Sequence, residues 1–242
     1  STSPVMHRKY LLLCIVLMLF ILNCDKQSTT TMEETIETPP PVFTYLALGD
    51  SYTIGESVEE SERWPVQLAA RLQADSIELR EPHIIARTGW TTGELDKAID
   101  DSEVVDSTFS MVSLLIGVNN QFRGYDFEAY KVEFRNLLQR ALQFAGGNKD
   151  MVFVVSIPDY GVTPFGERYD PEKIAREIDQ YNAFNQEVAV EMGIQYFDIT
   201  PISRKAKEDA SLIANDKLHP SGEMYTQWVE LIYPTIKEWF AR

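Results

Sequence analysis

Four short stretches, far apart in the chain, hold the residue types that acyl transfer requires. They are Gly49-Asp50-Ser51, Thr88-Gly89-Trp90, Gly117-Val118-Asn119-Asn120 and Asp216-Lys217-Leu218-His219. Acyl transfer needs a nucleophile, a base, a group that orients the base, and donors for the developing oxyanion. Ser51 is the candidate nucleophile and His219 the candidate base. Asp216 precedes His219 by three residues, so a turn would bring its carboxylate to the imidazole Nδ1. That contact would fix the tautomer and stabilise the imidazolium. The Ser51 N–H, the Gly89 N–H and the Asn119 side-chain amide are the candidate oxyanion donors. Gly89 has no Cβ to keep its backbone from a substrate. The chain has three histidines, and His83, opening a strand after Pro82 with no serine motif nearby, reads as structural or exposed. Asp50 is expected to brace its loop through backbone hydrogen bonds rather than to orient the base.

These stretches need elements that bring them together. Apolar runs over Phe43 to Leu48, His83 to Ala86, Met111 to Ile116, Met151 to Ile157 and Ile194 to Ile199 predict five strands. Helical patterns alternate with them at Trp64 to Leu72, Thr92 to Asp100, Phe127 to Ala145, Pro171 to Met192 and Ser221 to Phe240. Thr92 is a candidate N-cap, Ser221 caps the last helix, and Pro171 suits a first helical turn. Apolar strands alternating with helices predict an α/β domain with a parallel sheet covered on both faces. Ligands of such sheets bind at the carboxyl ends of the strands, where all four stretches would gather.

Composition narrows the class. The 242 residues are 44% hydrophobic and 24% charged, as in a globular protein, and carry a formal net charge of −15. That charge argues against nucleic acid as a partner. No Gly-x-Ser-x-Gly elbow, phosphate loop or His-Glu-x-x-His motif is present. A phosphate site at Ser51-Tyr52-Thr53 would leave Asp216 and His219 unexplained.

In this order and at these spacings, the four blocks resemble those of the SGNH (GDSL-type) hydrolases, from about Tyr45 to the C-terminus. The resemblance implies a flavodoxin-like three-layer α/β/α sandwich with a central five-stranded parallel sheet, and ester hydrolysis without metal or cofactor. It places the family's roles on Ser51, Gly89, Asn119, Asp216 and His219. Arg63-Trp64-Pro65 and the stretch Asn119 to Gly124 look like the lysophospholipase/thioesterase branch. Two positions depart from the pattern: Tyr52 replaces a usual Leu and Asn120 a usual Asp. Neither removes a catalytic group. Tyr52, with Tyr160 and Phe165 from the long segment Pro158 to Tyr169, is a candidate wall of the substrate pocket, and Arg123 a candidate contact for an anionic headgroup. The expected activity is hydrolysis of short- to medium-chain acyl, lysophospholipid or thioester substrates through an acyl-serine. The alternatives are a carbohydrate O-acetylesterase and a catalytically silent binding module of the cell envelope.

The N-terminus reads as a targeting segment. His7, Arg8 and Lys9 precede an apolar run, Tyr10 to Leu22, which ends at Asn23-Cys24 like a bacterial lipobox. Residues 1–24 are therefore expected to be a lipoprotein-type signal with Cys24 lipidated, and residues 25–41, rich in Thr, Glu and Pro, a flexible linker. Residues 42–242 form the expected hydrolase domain, a monomer held to a bacterial envelope membrane. Cys14 and Cys24 are the only cysteines, so the expected domain has no disulfide, thiol nucleophile or cysteine metal site.

Overall fold

A computed structural model describes residues 39–241. The expected signal segment with Cys24, and residues 25–38 of the expected linker, lie outside the described residues. Among the described residues no helix is long and apolar enough to cross a membrane.

Five strands form one parallel sheet: β1 (Tyr45–Gly49), β2 (His83–Ala86), β3 (Met111–Leu115), β4 (Val152–Val155) and β5 (Gln195–Phe197), in the order β2-β1-β3-β4-β5. Every residue of β1, β3 and β4 is buried, which requires cover on both faces. The helices are α1 (Ser51–Ile54), α2 (Trp64–Ala74), α3 (Thr92–Asp100), α4 (Val118–Phe122), α5 (Phe127–Phe144), α6 (Pro171–Glu191), α7 (Thr200–Arg204) and α8 (Gly222–Phe240). From β2 onward the chain steps in one direction across the sheet, so right-handed crossovers put α3, α5 and α6 on one face. The step from β1 to β2 runs the other way and puts α2 on the opposite face. The contacts agree: α5 packs against α3 and α6, whereas α2 packs against α8. This is the expected three-layer α/β/α architecture.

The chain reverses its direction of travel at β1, so the crevice lies beyond the carboxyl ends of β1 and its neighbours β2 and β3. Residues 51, 89 and 119 follow these three strands. Two expectations need correction at this edge. The stretch after Gly49 is a helical turn beginning on Ser51, not a loop, and Gly55, at φ +73°, ends it. The N-cap of α3 is Thr91, not Thr92: its hydroxyl accepts the Glu94 N–H while the Glu94 carboxylate accepts the Thr91 N–H.

Gly117 turns β3 into α4 at φ +130°, a region that side chains disfavour. A Cβ there would stand 2.6 Å from Tyr130 Oη and 2.9 Å from Ile157 Cδ1. Gly117→Ala is expected to lower the urea midpoint by the equivalent of about 2–4 kcal/mol, from backbone strain and overpacking together. An unchanged midpoint in circular-dichroism unfolding would refute that account.

Candidate active site

Ser51 is the first residue of α1, 4% exposed. Its position is set by Asp50, whose Oδ1 accepts the Tyr52 N–H at 3.0 Å and so caps the turn. The expected bracing role of Asp50 is observed, and its cost is visible. Asp50 is fully buried and its Oδ2 has no hydrogen-bond partner among the described residues. Burial pushes the carboxyl up to about 7, against the pull of the backbone hydrogen bonds.

His219 stands at the end of the turn before α8, beside the bridge between Ile213 and Pro220. Asp216 organises this turn. Its Oδ1 accepts the Leu218 and His219 N–H groups, both at 2.9 Å. Its Oδ2 lies 2.5 Å from His219 Nδ1 and accepts the Ser57 hydroxyl at 2.8 Å. Burial raises the Asp216 pKa, but the His219 side chain, the two backbone N–H groups and Ser57 outweigh it and hold the carboxyl below its usual range. A carboxylate only accepts, so Nδ1 carries the proton and Nε2 keeps its lone pair. Tyr52 packs edge-on to the imidazole at 5.8 Å between ring centroids and is itself 3% exposed.

The segment after β2 is pinned from three sides. Thr88 Oγ1 donates to the Glu56 carboxylate. Arg123 Nη2 donates to the Gly89 carbonyl at 2.6 Å, and Asn119 Nδ2 to the Trp90 carbonyl at 2.9 Å. Gly89 adopts φ +90°. Arg123, also 3.5 Å from Glu94, is thus engaged by the protein itself. Asn120 is buried: its Oδ1 accepts the Thr92 N–H at 3.0 Å and its Nδ2 donates to Thr92 Oγ1 at 2.8 Å.

Ser51, Gly89, Asn119 and His219 line one cavity of about 130 Å3, with Tyr52, Tyr160 and Phe165 in its wall. The expected residues are therefore brought together, Asp216 behind His219. Phe122, Val118 and Leu218 also line the cavity and were not singled out from sequence. Each neighbours a motif residue in the chain, which is the signal that could have found them. The Ser51 and Gly89 N–H groups have no backbone acceptor among the described residues, and Asn119 Nδ2 keeps a second N–H beyond the one on Trp90. Ser51 Oγ makes no hydrogen bond among the described residues. Also among them, no three His, Cys, Asp or Glu side chains are grouped to hold a metal ion. A hydroxyl, a carboxylate-backed imidazole and unshared N–H donors around one small cavity can perform acyl transfer.

The Asp50 environment has a measurable consequence. Its folded-state pKa, about 7, lies above the 3.8 of a freely solvated aspartate. Its contribution to stability is thus complete below that lower value and is lost as pH rises through the folded one. Wild-type unfolding free energy is expected to fall between about pH 4 and 7 more steeply than that of Asp50→Asn. Equal slopes in denaturant titrations across that range would contradict a buried, proton-binding Asp50.

Comparison with known proteins places this geometry. Residues 47–227 match the model of the GDSL-like Lipase/Acylhydrolase family. No curated protein sequence matches the chain. Among solved structures, TesA superposes with a TM-score of 0.64 at 18% identity, covering 81% of this chain and 99% of its own. The psychrotrophic esterase EstA from Pseudoalteromonas sp., inhibited by monoethylphosphonate, gives 0.61 at 17% identity, covering 83% and 100%. Axe2, an acetylxylan esterase from Geobacillus stearothermophilus, gives 0.60 at 18%, covering 84% and 96%. At these identities the structures share the fold with this chain. The family match runs from Ala47 on β1, across the sheet, to Gln227 in the first turns of α8, and the chain belongs to the GDSL-like lipase/acylhydrolase family.

Proposed function

We propose that the chain is a serine esterase that cleaves short-chain carboxylic esters through an acyl-Ser51 intermediate. The observation that carries this reading is the Asp216–His219 pair opening, with Ser51, onto one small cavity. His219 Nε2 takes the Ser51 hydroxyl proton as Oγ bonds to the ester carbon. The oxyanion is met by the Ser51 and Gly89 N–H groups and the Asn119 amide. His219 then gives the proton to the departing alkoxide, which leaves as the alcohol. A water molecule repeats the sequence on the acyl-enzyme and releases the acid, restoring Ser51. Asp216 keeps the imidazole in the productive tautomer and offsets its positive charge.

A cavity of about 130 Å3 is well below the roughly 300 Å3 at which pockets for drug-sized ligands begin, which suits a small acyl group. The lysophospholipase or thioesterase activity implied by the resemblance would need room for a longer chain. A silent binding module is disfavoured by the retention of Ser51, Asp216 and His219 together.

Hydrolysis of 4-nitrophenyl acetate, butyrate and octanoate is the direct test. Wild type is expected to turn over and to favour acetate. Ser51→Ala and His219→Ala are each expected to lose at least about a thousandfold in kcat. Activity that survives both substitutions would remove the serine mechanism.

The sequence of residues 7–24 supports anchoring of this esterase to an envelope membrane through Cys24. Mass spectrometry of the membrane fraction is expected to find a diacylglyceryl-modified N-terminal Cys24. Recovery of the chain with Tyr10 to Leu22 still attached would overturn the anchor.

A further inference from the structure

A second cavity, of about 380 Å3, adjoins the catalytic one, and the side chains of Phe122 and Tyr160 line both. The two differ in chemistry. The catalytic cavity is walled mainly by Tyr52, Val118, Phe122, Phe165 and Leu218 around the polar groups already described. The second carries Lys173, Glu177, Asp170 and Gln121 beside the rings of Tyr160 and Tyr169. Its polar groups form a connected set. Tyr160 Oη donates to Gln121 Oε1 at 2.8 Å, Gln121 Nε2 donates to Glu177 at 2.7 Å, and Lys173 lies 3.8 Å from the same carboxylate.

We propose that this second cavity is the alcohol subsite of the esterase and that it takes a sugar ring, so that the substrates are saccharides carrying small O-acyl groups. The proposal rests on the serine-esterase reading above. Four ligand chemistries can be weighed against the wall. An alkyl chain placed there would strip water from two carboxylates and an ammonium without giving them a partner. A phosphate headgroup would meet the carboxylates of Asp170 and Glu177 against the single charge of Lys173, which Glu177 already approaches. A quaternary ammonium wants free aromatic faces, and here the rings are edge-packed on one another: Phe122 lies 5.9 Å from Tyr160 at 78° and 5.6 Å from Tyr169 at 82°. Lys173 would repel it as well. A neutral polyol fits. Each sugar hydroxyl both donates and accepts, so carboxylates, an ammonium, a carboxamide and a phenol can all be matched at once. The sugar's apolar C–H groups need no bare ring face and can rest against the edges of Tyr160 and Tyr169.

The arrangement also orders the ester. The small acyl group occupies the apolar cavity beside Ser51, and the polar alcohol lies beyond the Phe122 and Tyr160 side chains. Specificity then resides on the α6 side, in groups that take no part in bond making.

The test compares kcat/KM of wild type on a methyl mono-O-acetyl-β-D-glucopyranoside, acetylcholine, lysophosphatidylcholine and 4-nitrophenyl acetate. The acetylated glycoside is expected to exceed acetylcholine and lysophosphatidylcholine at least tenfold. In Glu177→Gln and Tyr169→Ala, the ratio of glycoside to 4-nitrophenyl acetate is expected to fall at least tenfold. Unacetylated methyl β-D-glucopyranoside, which needs no variant, is expected to inhibit wild-type 4-nitrophenyl acetate hydrolysis competitively at millimolar concentrations. Preference for either cationic or phosphate-bearing ester, an unchanged ratio in both variants, or no inhibition by the free glycoside would overturn the sugar subsite while leaving the esterase standing. A wild type inactive on 4-nitrophenyl acetate and on every other ester would overturn the esterase reading itself, and the subsite with it.

Discussion

Two hydrogen bonds between the Asn120 amide and Thr92 tie the turn after β3 to the start of α3, in a place that water does not reach. From this tie the geometry of the crevice follows. With α3 tied there, Asn119 and Arg123, on the same turn as Asn120, take the Trp90 and Gly89 carbonyls and hold the segment from Thr88 to Thr91 across the edge of the sheet. With those carbonyls held, the backbone donors near Ser51 are arranged before any substrate arrives, which is what makes such donors effective in a transition state. An amide suits position 120 because it offers an acceptor to the Thr92 N–H and a donor to the Thr92 hydroxyl. The hydroxyl's own proton is directed to Glu133. A carboxylate would face that oxygen with no proton between them. The departure from the family pattern at this position is thus matched by its surroundings.

The two aspartates of the site show how environment divides one residue type into two. Asp216 receives three hydrogen bonds besides that of the imidazole and stays ionised, as a partner for a transient imidazolium must. The Asp50 carboxyl receives a backbone N–H, that of Tyr52, but no side-chain donor among the described residues, and is sealed under α1, so its proton is held far more tightly. The first arrangement suits the charge-stabilising role proposed for Asp216. The second stiffens the turn that carries Ser51 at some expense of stability near neutral pH.

Much of this is legible in the sequence. The buried strands announced themselves as apolar runs because a sheet covered on both faces has no polar side to alternate with. The apolar runs of β3, β4 and β5 outlast their strands, since buried apolar residues continue past the ladder, as Ile116 and Ile157 do, whereas the run from His83 to Ala86 coincides with β2. The helical turns at Ser51 and Val118 were missed because four or five residues are too few to show a period. The capping residue of α3 was misread by one position although Glu94, three residues after Thr91, carries the capping-box spacing. The contacts that pin the site, Ser57 with Asp216 or Arg123 with Gly89, join distant parts of the chain and leave no local trace.

The layer that joins α2 to α8 has a consequence for how the protein comes into being. The ribosome delivers Ser51 early and His219 near the end. Until α8 is made, α2 has no partner on its face of the sheet, and the Thr226 hydroxyl is not yet there to bond Gln67. Contacts of such long sequence separation form late and together. An incomplete or still-emerging chain therefore carries Ser51 without His219 and a sheet without half its cover. Under the proposed mechanism, Ser51 and His219 therefore meet only when the domain is finished.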